Sequence, residues 1–119
     1  MESILNTIKK MLGIEADYEA FDIDLVVYIN MALNVLNQLG VGPEEGFVIT
    51  SEEETWDDFL DECPKNKLQM VKTYIYLKVK QVFDPNQNSG ITQAFNEQIK
   101  ELEWRLNVQV DPGESDETE

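Results

Sequence analysis

Residues 22–40 read DIDLVVYINMALNVLNQLG, and their pattern decides the fold. At 100° per residue, Leu25, Ile29, Ala32, Leu33, Leu36 and Leu39 share one broad helical face. Val26, Val27, Tyr28, Met31 and Val35 carry the apolar surface much further round, leaving a narrow polar stripe of Asn30, Asn34 and Asn37. No charge occurs from Leu25 to Leu39. Such a helix is expected to be buried on most sides, with Asp22 as its N-cap and Gly40 as its end. The asparagine stripe and the length count against a membrane span, and nowhere does the chain hold the roughly 18 uninterrupted apolar residues a span needs.

Working outward, each flank adds a helix. Ser3 is placed to cap a first one, in which Ile4, Leu5, Ile8, Met11 and Leu12 follow at helical spacing until Gly13. Its polar side carries Lys9 and Lys10, and it is short enough to need a docking partner. After residue 40, VGPEEGFVIT is a turn followed by a short extended piece. Thr55 and Asp58 have capping-box spacing and open a short acidic helix whose apolar side is Trp56, Phe59 and Leu60. Cys63 and Pro64 break it, and Asn66 is placed to cap a fourth helix that runs to about Phe83.

That fourth helix has two apolar faces. Leu68, Val71, Ile75, Val79 and Val82 fall on one, at steps of 3, 4, 4 and 3, with Met70, Tyr74 and Leu77 roughly opposite. Contact on both sides follows, and one contact could be another subunit. Asp84 and Pro85 end the helix, NQNSG turns, and Ser89 is placed to cap the last helix, with Ile91, Phe95, Ile99, Leu102 and Leu106 as its stripe. Trp104 lies on the far side, as an interface anchor or as a second-face core residue. The segment from Asp111 has nothing to bury and is expected to be disordered. The expectation is an all-α fold: a small bundle of four main helices plus a short acidic helix over residues 1–110, with a disordered acidic C-terminal tail at 111–119.

The chain has 119 residues and a net charge of −15. Five of its 24 acids fall in residues 111–119, so residues 1–110 still carry −10. Residues 44–62 hold nine acids and no base, and residues 65–80 hold five lysines and no acid. A surface this acidic repels nucleic-acid phosphate and anionic lipid. Lys72, Lys78 and Lys80 point in three directions round their helix, so with Lys65 and Lys67 they read as partners for acidic surface, not as a nucleic-acid patch.

Catalytic chemistry finds little support. There is no histidine, which removes the usual proton shuttle and the commonest transition-metal ligand. The single cysteine, Cys63, has no histidine to activate it and reads as a half-buried small apolar residue. No nucleotide-binding, hydrolase or zinc-protease motif occurs. Glu52, Glu53, Glu54, Asp57 and Asp58 read as solvated, without the burial that separates carboxylate pKa values. They also lack the central glycine of a calcium loop. No catalytic residue, metal or cofactor is expected.

Several stretches together resemble a known family. ILNTIKKMLGI, FDIDLVVYINMALNVLNQLGVGP, ETWDDFL, VKTYIYLKVKQVFDP and ELEWRLNVQ are similar, in order and spacing, to the head–tail connector (adaptor) proteins of tailed bacteriophages and prophages. The likeness covers about residues 3–109. It implies a small helical bundle of which many copies, about a dozen, form a ring beneath the portal protein. The ring joins the head to the next connector or tail-completion protein, and DNA passes through without specific binding. A virion location, synthesis in the host cytoplasm and no membrane contact follow from the same resemblance. Met70, Tyr74, Leu77 and Trp104 are the residues expected in subunit or portal contacts, being apolar and off the main core faces. The rival reading of the acidity is a DNA-mimicking inhibitor of a nuclease or DNA-binding protein. The clustering of acids at 44–62 and in the tail fits poorly with that, because a mimic needs one continuous carboxylate face.

Overall fold

The computed structural model describes residues 2–61, 63–83 and 89–110, and within these the chain is all-α with no strand. Helices α1 (Ile4–Leu12), α2 (Asp22–Gln38), α4 (Lys65–Phe83) and α5 (Ser89–Val110) form the bundle, and α3 (Trp56–Phe59) is the short acidic helix. The expected turn at 84–88 and the tail at 111–119 lie outside the described residues.

Local chemistry sets the helix ends. The Ser3 hydroxyl accepts from the Asn6 N–H at 3.2 Å and caps α1. Gly13, at φ +82°, closes it, with its own N–H on Lys10 O and the Ile14 N–H on Lys9 O at 2.8 Å. Around α3 the capping box forms in full: Thr55 Oγ1 accepts from Asp58 N–H, and Asp58 Oδ2 accepts from Thr55 N–H at 2.9 Å.

Three local expectations are corrected. Asp22 lies inside the first turn of α2, behind a cap residue, Phe21, that makes no side-chain hydrogen bond. The Asp22 carboxylate faces Lys9 instead. The helix ends at Gln38, two residues short of Gly40, because the Val41 N–H turns back onto Leu36 O at 2.9 Å. Asn66 sits within α4, which opens at Lys65 directly after Pro64; Pro64 O accepts the Leu68 N–H.

The core lies where α4 meets α2, α5 and α1. Trp56 is fully buried and ties three elements together. Its Nε1–H donates to Thr7 Oγ1 of α1 at 3.0 Å, and Lys72 of α4 sits 5.4 Å from its ring centre. The α4–α5 pair is antiparallel. Tyr74 of α4 pairs with Glu103 of α5, and seven residues on Gln81 pairs with Asn96, seven residues back. At one end of the bundle the rings of Phe21 and Phe83 meet edge-on, 5.0 Å between centres, joining the start of α2 to the finish of α4. At the other end Asn107 of α5 donates to Leu39 O at 3.4 Å.

The segment between α2 and α3 is held without a sheet. Asn30 Nδ2 donates to Ile49 O at 3.0 Å while its Oδ1 accepts the Ile49 N–H at 2.8 Å. One side-chain amide thus replaces a neighbouring strand and seats Ile49 in the core. Gly42, at φ +95°, passes so close to Phe59 that an added Cβ would stand 2.5 Å from the ring.

Candidate assembly interface

The surface chemistry of α2 differs from the expectation. The helix is not buried on most sides. Ile23, Val27 and Met31, spaced four apart, are 82%, 51% and 58% exposed and form an outward apolar stripe. Beside the start of this stripe runs a groove of about 440 Å³. Ile23, Val26, Val27 and Leu5 make its apolar wall, and Glu19, Asp22 and Glu52 supply its charges. Among the described residues no basic side chain lines it.

The second patch is on α5. Trp104 is 65% exposed and Val108, one turn on, is 49% exposed. The open choice for Trp104 is thereby decided against the core. Arg105 beside it is held by Glu101 at 2.8 Å. Lys100, one turn before Trp104, is exposed and has no ion-pair partner among the described residues.

The other residues singled out from the sequence fall elsewhere. Tyr74 is fully buried and Leu77 nearly so, which corrects the premise that they lie off the core faces. The second face of α4 is answered within the chain: the Tyr74 hydroxyl donates to Glu103 Oε2 of α5 at 2.8 Å. Burial, with the hydrogen bond and charge of Glu103, pushes the Tyr74 pKa well up. Met70 is half-buried against the core. Of the four, Trp104 alone is exposed. Val27 and Met31 were expected on the apolar surface of a helix buried on most sides, and Ile23, in its first turn, was assigned no face; all three are exposed.

The charges are also more engaged than their sequence implies. Lys9, read as part of a polar side, is 1% exposed. Lys72 contacts Glu2 at 3.6 Å as well as the Trp56 ring. Glu54 is not simply solvated: its carboxylate accepts from Thr50 N–H, Thr50 Oγ1 and Ser51 N–H. Desolvation pulls the other way, but these hydrogen bonds hold the Glu54 pKa below the ordinary value. Burial pushes the Cys63 thiol up, against the nearby Lys67. Among the described residues no three metal-ligating side chains come together, and no helix is long and apolar enough to cross a membrane.

A protein-family model described as phage connector protein matches residues 4–113, nearly the whole chain. The chain belongs to the phage connector protein family. No curated protein and no solved structure matches it significantly. The connector is thus a structural component of the virion that works through contacts with other head and tail proteins. The two exposed apolar stripes of this connector, on α2 and α5, are where its geometry offers such contacts.

Proposed function

We propose that this connector, made in the host cytoplasm, assembles as a ring beneath the portal, joins it to the next connector or tail-completion protein, and lets DNA pass. The observation that carries this reading is the pair of exposed apolar stripes on two different helices. A closed ring needs two unlike faces per subunit, each meeting a different neighbour. The acidity fits a conduit, since carboxylates near the path repel phosphate and let DNA slide without adhering. No catalytic step enters this function.

Electron microscopy of the purified chain mixed with its portal protein tests the reading. A ring with fixed, symmetric stoichiometry on the portal is expected. Failure to associate with portal, or irregular attachment of single chains, overturns it. Retention of duplex DNA by the isolated chain at physiological salt would count against a non-adhesive conduit.

A further inference from the structure

The two stripes differ in form. On α2 the apolar surface borders a groove, and on α5 it is a projecting indole. We infer that they mate head to tail: Trp104 of one subunit inserts into the Ile23–Val26–Val27 groove of a second copy of this chain. This rests on the ring reading given above and names its junction.

Charge argues for that occupant. The groove is bordered by Glu19, Asp22 and Glu52, with no base lining it among the described residues. Asp22 faces Lys9, which leaves Glu19 and Glu52 without a cation among the described residues. An acidic rim rejects DNA phosphate, and it rejects the chain's own segment 111–119, which holds five acids and no base. It accepts an apolar side chain that arrives with a cation. Trp104 is such a group, because Lys100 lies one helical turn away, is exposed, and has no ion-pair partner among the described residues. Tryptophan is also the residue most enriched at the centre of protein interfaces. Within one chain the groove and the indole cannot meet. Ile23 is in the first turn of α2, at the Phe21–Phe83 end of the bundle. Trp104 is one turn from Asn107, at the Leu39 end. The indole of each copy is therefore available only to the groove of another.

The test uses the full chain with portal protein present, by native mass spectrometry and electron microscopy. Ile23→Asp spoils the groove and Trp104→Ala removes the indole. Both positions are exposed, and an acid in the first turn of a helix is favourable, so circular dichroism should show unchanged helicity. Each variant is expected to lose the ring, with the single junction weakened roughly 30-fold or more. An equal mixture of the two retains one intact groove and one intact indole, so it should give 1:1 dimers and no ring. Val27→Asp and Val108→Asp serve as a second pair if either first variant misfolds. Wild-type rings that persist in either variant, or a mixture that yields no dimer, overturn the junction and leave the ring reading standing. Wild-type chains that remain monomeric with portal overturn both.

Discussion

Lys9 Nζ lies 2.8 Å from Asp22 Oδ1 and donates to two carbonyls, Ala16 O at 2.9 Å and Tyr18 O at 2.7 Å. The carboxylate contact is one of charge, since Asp22 Oδ1 has no hydrogen-bond donor aligned with it. The ammonium thus fastens the last turn of α1, the connecting segment and the first turn of α2. It does so in a site where Lys9 is 1% exposed and Asp22 29%. Replacing Lys9 by Met keeps the volume but strands the carboxylate and both carbonyls. A loss of about 3 kcal/mol is expected in urea unfolding. Adding Asp22→Leu to Lys9→Met should recover part of that loss, because the unpaired charge is then gone.

The Tyr74–Glu103 hydrogen bond makes stability fall in alkali. The folded Tyr74 pKa is raised, so its contribution is complete below the unfolded tyrosine pKa and declines as pH rises beyond it. Stability is expected to drop above about pH 10, where the unfolded chain's tyrosine ionises. Tyr74→Phe should cost about 1 kcal/mol near neutrality and show a shallower alkaline decline than wild type. Thermal melts of both proteins across that range check it.

Gly42→Ala meets two obstacles at once. The backbone stands at φ +95°, and the new methyl falls 2.5 Å from a ring carbon of buried Phe59. A destabilisation of about 2–3 kcal/mol is expected, from the left-handed backbone and the displaced ring together. Denaturant unfolding measures it. A cost near zero would mean that Phe59 moves freely.

Asn30→Ala should release the extended piece around Ile49 without dissolving the bundle. Both backbone groups of Ile49 lose their partner, which costs about 2 kcal/mol of local stability. Amide exchange at Ile49 is the direct readout, and it should accelerate far more than exchange within α4.

Much of the fold could be read from spacing because caps and apolar stripes rest on residues close in sequence. The α1 stripe with its Ser3 and Gly13 ends, the Thr55 and Asp58 box and the α5 stripe from Phe95 to Leu106 each depend on neighbours in sequence, whereas Ile91, expected to open that stripe, is 42% exposed. What could not be read depends on distant residues. Lys9 is a charged residue on the polar side of its helix until the chain returns with Ala16, Tyr18 and Asp22 to enclose it. The second apolar face of α4 was equally suited to a foreign helix or to α5, and Glu103, which takes up the Tyr74 hydroxyl, lies 29 residues away. The α2 surface failed the other way: an apolar helix looks buried in sequence whether or not enough chain exists to cover it.

The antiparallel arrangement of the helices bears on how the proposed ring could close. Helix α2 has 17 residues and is roughly 25 Å long. Ile23 stands near one end of it and Trp104 lies level with the other. Neighbours joined at the proposed junction would each be displaced along the bundle. Held upright, they would climb as a spiral staircase and never meet. The proposed ring would close in a plane only if every bundle leaned over, overlapping the next as the blades of an iris diaphragm do. The bore of such a ring would depend on the angle of lean, and a small common tilt of the blades would widen or narrow it.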